Sequence, residues 1–108
     1  MADKKFIIVQ LKKILRELEH EGISVRKAFL FGSYASNKQH EFSDVDFAIV
    51  ADEFKGIDFD DVGLMSNVLI NYPELLIQTR TYNPEQFKPS KDPFVSEIIR
   101  TGVEIKFK

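Results

Sequence analysis

Two short apolar runs constrain the fold of this chain more than any other feature: Ala28-Phe29-Leu30-Phe31 and Phe47-Ala48-Ile49-Val50. Each is too short to show a helical period and is bounded by turn or polar residues, so both read as buried β-strands. Gly32-Ser33 ends the first run. A glycine directly after a strand lets the backbone turn sharply or approach a ligand closely, and a serine beside it can cap a helix or offer a hydroxyl and an N–H to a phosphate. Ten residues later, Ser43-Asp44-Val45-Asp46 leads into the second run. Successive strand side chains point to opposite faces, so Asp44 and Asp46 share one face while Val45 and Phe47 share the other. Paired carboxylates repel each other unless a cation lies between them. A hard divalent ion with oxygen ligands, Mg²⁺ first among them, meets that need and neutralises the triphosphate that usually accompanies it.

Strand, Gly-Ser, ten residues, Asp-x-Asp, strand resembles the signature of the minimal nucleotidyltransferases of the DNA polymerase beta superfamily. It is also similar to the antitoxin-type members of that family, small domains of about this length paired with a HEPN-domain partner. The resemblance implies an α+β fold with α/β character: a small mixed β-sheet of three to five strands flanked by helices. It implies transfer of a nucleoside monophosphate, AMP first, from a triphosphate such as ATP to a hydroxyl of a protein or small molecule. In that pattern Asp44 and Asp46 are the catalytic Mg²⁺ ligands, and Gly32 and Ser33 bind the β- and γ-phosphates.

The family usually adds a third carboxylate on the next strand, as a second-metal ligand or as the base for the acceptor proton. In this chain Gln78 stands at that position, and glutamine is a weak, neutral ligand with no basic function. Glu74 lies roughly 13 Å from it along an extended chain, too far to substitute. Arg80 shares a face with Gln78 and is a candidate for contact with the triphosphate, beside its plainer reading as an exposed strand arginine. Gln78 keeps a second reading open: a catalytically weakened domain that binds a HEPN partner as an antitoxin or senses nucleotide without turnover.

The 108 residues suit one domain spanning 1–108, and a chain of this size buries roughly two-thirds of its unfolded surface. An apolar content of 44% with ten phenylalanines supplies a core. A net charge of −2 lacks the basic excess of a general nucleic-acid binder. With no cysteine, disulfides and cysteine-type zinc sites are excluded. The N-terminal apolar stretch is too short for a signal peptide or membrane span, which makes the cytoplasm the expected compartment.

The remaining elements follow from periodicity. Residues 4–21 read as an amphipathic helix with Leu11, Ile14, Leu15 and Leu18 inward and Gly22 as its stop. Residues 34–36 should begin a short helix, followed by a polar loop over 37–42 in which Lys38 and His40 read as solvated or phosphate-touching. The second strand is expected over 44–50. Asp52-Glu53 in the next connection diverge and form no metal pair. A second helix over 58–72 is expected to be capped by Asp58 or Asp60 and to bury Val62, Met65, Leu69 and Ile70. The third strand is expected over 74–82, with Leu75, Ile77, Thr79 and Thr81 on one face and Leu76, Gln78, Arg80 and Tyr82 on the other. A turn at 83–85 should open a short helix ending near Phe87. The last helix spans 93–101 and stops at Gly102, before a short edge strand at 103–107.

Overall fold

The structure, a computed structural model, describes residues 3–36, 38 and 44–108, so the expectations placed on Asn37, His40 and Ser43 lie outside the described residues. In chain order the elements are α1 (Lys4–His20), β1 (Val25–Phe31), β2 (Val45–Ala51), α2 (Asp58–Leu69), β3 (Ile77–Tyr82), α3 (Phe94–Thr101) and β4 (Val103–Glu104). The strands form one mixed sheet in the order β3-β2-β1-β4. Strand β1 is antiparallel to β2 and β4, whereas β3 runs parallel to β2. This is the helix-flanked mixed sheet expected from the sequence. Among the described residues no helix is long and apolar enough to cross a membrane.

Strand β2 reads as a continuous apolar run because both of its faces are covered. Val45, Phe47, Ile49 and Ala51 join a core with Ile7, Leu11 and Leu18 of α1 and Met65 and Val68 of α2. Ala48 and Val50 point the other way, into a smaller cluster with Phe29, Tyr82 and the α3 residues Val95 and Ile98. Asp46 belongs by alternation to this α3 face, at the end of the strand.

Helix α1 buries Ile7 and the expected stripe of Leu11, Ile14, Leu15 and Leu18. Asp3 caps it by accepting a 2.8 Å hydrogen bond from the Phe6 N–H, and Gly22 follows it with φ +94°.

Six local expectations are corrected. Helix α2 has Ile57 as its N-cap and no side-chain cap bond. Its inward positions are Asp61, Met65 and Val68, whereas Val62 and Ile70 are exposed. A buried carboxylate in the first turn displaces the stripe from the phase that the apolar residues alone suggest. Strand β3 starts at Ile77 because residues 72–75 close a turn, Leu75 N–H donating to Tyr72 O, with Leu75 buried in the larger core. The short helix after Pro84 is instead one turn, closed reciprocally by Gln86 N–H on Asn83 Oδ1 at 2.9 Å and Asn83 N–H on Gln86 Oε1 at 3.0 Å. Residues 34–36 likewise form a turn. Strand β4 is only Val103–Glu104, but Ile105 N–H still donates to Ala28 O, and Ile105 and Phe107 are buried.

Candidate functional site

Two registers bring the sequence-predicted residues together. Phe31 pairs with Asp46 across β1 and β2, and Asp46 pairs with Gln78 across β2 and β3. Phe31, Asp46 and Gln78 therefore stand side by side across three strands, on the face that α3 covers further along. Asp44 lies one residue before β2 and is exposed. The third-strand glutamine thus neighbours the second aspartate directly.

The Gly-Ser turn closes onto this row. Gly32 follows β1 with φ +74°, in the left-handed region that side chains disfavour, and a Cβ built there would collide with Asp46 Oδ2. Only glycine satisfies both conditions. The turn beyond it is fixed internally: Ser36 N–H donates to Gly32 O at 3.2 Å and Lys38 N–H to Ser33 O at 2.8 Å, while Ser36 Oγ–H donates to Gly32 O at 3.1 Å. Tyr34 is buried in the larger core beneath the turn. Lys4 Nζ reaches over from α1 to donate to Ala35 O at 3.1 Å. The turn is held from both sides while Ser33 stays half-buried and Gly32 exposed.

Charge at the site is negative and crowded. Partial burial, and secondarily the nearby Asp44, push the Asp46 carboxyl above its ordinary range. The described residues place no ion pair on either aspartate. They also contain no cluster of three or more His, Cys, Asp or Glu that could cage a metal. The donor set nevertheless fits Mg²⁺, which characteristically binds through one or two carboxylates and completes its shell with water and substrate phosphate. Asp44 and Asp46 are the residues that would hold it.

Arg80 sits one step further along β3 on the same face, beside Ala48 in the register. Its guanidinium lies over the Phe94 ring, 4.5 Å from the centroid, and its Nε–H donates to the Tyr82 hydroxyl at 2.9 Å. Asp92 Oδ2 is 3.9 Å from Arg80 Nη2. These contacts lead along β3 away from Gln78. Lys38 is exposed.

Sequence reasoning missed two residues. Asp61 is fully buried and accepts from the N–H groups of Lys55, Gly56 and Ile57 and from the Thr81 hydroxyl. In an acid-rich helix start, composition cannot separate it from its neighbours; its four-residue offset from the entry loop is the one available signal. Phe94 opens α3 and reaches the strands on either side of β2. A cavity of about 410 Å³ lined by Arg16, Glu17, His20, Asn67, Val68 and Asn71 lies between α1 and α2, across the sheet from Asp46.

A family model described as Polymerase beta, Nucleotidyltransferase matches residues 10–108. A solved structure from Sulfolobus solfataricus, provisionally described as a nucleotidyltransferase, superposes with a TM-score of 0.65 at 16% identity, over 94% of this chain and 80% of that one. At that identity the likeness shows the fold alone. No curated protein matches.

Proposed function

The chain belongs to the polymerase beta nucleotidyltransferase family, and from that premise we infer that it transfers a nucleoside monophosphate, AMP first, from a triphosphate to a hydroxyl of a protein or small molecule. The observation that carries this reading is the contact of the Gly32 backbone with the Asp46 carboxylate, with Asp44 alongside. One short turn thereby presents N–H groups to phosphate beside the two acids suited to its counter-cation.

In the reaction the acceptor oxygen attacks the α-phosphorus and a new P–O bond forms. The bond from that phosphorus to the oxygen bridging the α- and β-phosphates breaks, and pyrophosphate leaves with those electrons. The hydroxyl proton passes to a base. Positioning and charge neutralisation supply most of the rate in such transfers. Gly32 and Ser33 hold the β- and γ-phosphates through backbone N–H groups and the Ser33 hydroxyl. Asp44 and Asp46 would hold Mg²⁺, which when bound would supply charge neutralisation of the phosphates and polarise the phosphorus under attack. Gln78, beside Asp46, can donate or accept a hydrogen bond but cannot take the proton, so the proton goes to solvent, to the acceptor's own surroundings or to one of the aspartates.

Incubation with Mg²⁺ and ATP labelled at the α-phosphate tests this reading: label should move to an acceptor in the wild type and not in Asp44→Asn. A survey of protein and small-molecule acceptors in which neither chain labels anything would refute transfer.

Gln78 supports a second reading, a domain that holds metal nucleotide with little or no turnover, as a sensor or as an antitoxin occluding a HEPN partner. Gln78→Glu should then raise transfer from a negligible baseline, and co-purification with a HEPN partner should survive Asp44→Asn and Asp46→Asn. Vigorous wild-type labelling that Gln78→Glu leaves unchanged would sink it.

A further inference from the structure

Lys4 opens α1, on the sheet face opposite Asp46, and its ammonium donates to the Ala35 carbonyl at 3.1 Å. Two peptide units joined end to end lead from that carbonyl to the Ser33 N–H. The Ala35 carbonyl and the Ser36 N–H belong to one unit. That N–H donates to the Gly32 carbonyl at 3.2 Å, and the Gly32 carbonyl shares the next unit with the Ser33 N–H. Among the described residues the Ser33 N–H donates to no other group, and it is one of the donors that the nucleotide reading turns toward phosphate.

Hydrogen bonds in series polarise one another, so a cation at the head of this run makes the donor at its tail more positive. Both peptide dipoles point their N–H ends away from Lys4, the sense that draws an anion. Water screens the ammonium only in part, because Lys4 and Ala35 are both half-buried. Among the described residues no carboxylate forms an ion pair with Lys4. The two ends of the contact are also held in place. Ile7, one turn on from Lys4, and Tyr34 of the Gly-Ser turn are buried in the same core, and Asp3 caps the helix start on the Phe6 N–H.

We propose that Lys4 is a positioning residue of the nucleotide site, its charge carried through the two peptide units to the Ser33 N–H, where it strengthens the grip on the β- and γ-phosphates. The proposal rests on the nucleotide reading above. It brings the start of α1, from another layer of the fold, into a site that spacing alone confines to Gly32, Ser33, Asp44 and Asp46.

Calorimetric titration with Mg²⁺·ATP and with Mg²⁺·tripolyphosphate, which has no base, tests it. Lys4→Met, which keeps a long apolar stem and loses the charge, should weaken both ligands about tenfold, the scale of one charge-assisted hydrogen bond. Lys4→Arg, which keeps charge and donors, should restore both to within about threefold of wild type. The loss in Lys4→Met should also shrink as sodium chloride rises from about 0.05 to about 0.5 M, where the screening length falls to roughly 4 Å. A turn that had merely lost its shape would be indifferent to salt. Wild-type affinity in Lys4→Met, a loss that Lys4→Arg does not restore, or a loss that salt leaves unchanged would overturn the proposal. If the wild type binds neither ligand, the nucleotide reading falls and the role of Lys4 with it. If both ligands bind tightly and are lost in Asp46→Asn while Lys4→Met binds them as wild type does, the role of Lys4 alone falls.

Discussion

Replacing Gly32 by alanine tests the contact on which the site is built. Two costs add at this position. The first is conformational: a side chain at φ +74° costs about 1–2 kcal/mol. The second is steric, because the new Cβ collides with Asp46 Oδ2, and moving that carboxylate off its rotamer costs roughly 0.5–1.5 kcal/mol. Gly22 separates the two. It also has positive φ, +94°, but a Cβ there meets nothing within 4 Å, so Gly22→Ala carries the conformational cost alone. Urea denaturation should therefore place Gly32→Ala about 2–3 kcal/mol below wild type and Gly22→Ala about 1–2 kcal/mol below it. Removing the colliding carboxylate should remove most of the excess: on an Asp46→Ala background, which leaves only the position-46 Cβ at 3.2 Å, Gly32→Ala should cost close to what Gly22→Ala does. The difference is a coupling energy between the turn and the acid. Equal costs for the two glycine variants, or a coupling of zero, would refute the packing of the turn against Asp46.

Other expectations concern stability. Burial raises the Asp46 carboxyl, so its contribution is present below the ordinary carboxylate range and is lost as pH rises through its folded value. Asp46→Asn should therefore denature at higher urea than wild type at pH 7 without divalent metal, and the gap should close near pH 3; a less stable variant at pH 7 contradicts the burial argument. Asp61→Ala removes the acceptor of three N–H groups and of a hydrogen bond from the Thr81 hydroxyl and should cost at least about 3 kcal/mol or prevent folding, against about 1–2 kcal/mol for Thr81→Val, both read from denaturation midpoints. Gly63 lies within α2 with nothing within 4 Å of a built Cβ, so Gly63→Ala should stabilise by about 0.5–1 kcal/mol, seen as a higher melting temperature.

The fold was legible wherever burial and period agreed. The α1 stripe and the apolar runs of β1 and β2 announce themselves because each is decided by local sequence. Where a polar residue is buried, the pattern misleads: Asp61 occupies an inward position of α2, and the visible apolar residues Val62 and Ile70 then suggest the wrong phase. The start of β3 was also out of reach, since Leu75 is buried by a turn as readily as by a strand. At the candidate site, spacing alone brings Gly32, Ser33, Asp44 and Asp46 forward. The contact of Gly32 with Asp46 depends on a backbone angle and on register, and Phe94 reaches the same place only through the packing of α3 across β2. Neither arrangement has a counterpart in local spacing.

The most direct test of the nucleotide site is the melting temperature with Mg²⁺, with ATP and with both. A ligand at a hundred times its Kd stabilises the folded state by about 2.7 kcal/mol, and in a domain of this size each kcal/mol raises the melting temperature by about 4–8 °C. The wild type should therefore gain more than about 10 °C with Mg²⁺ and ATP together, well beyond the sum of the separate shifts, and the Asp44→Asn, Asp46→Asn double variant should gain almost nothing. A wild type indifferent to the pair, or a double variant that responds as strongly, would contradict a metal nucleotide held between the Gly32-Ser33 turn and the two aspartates.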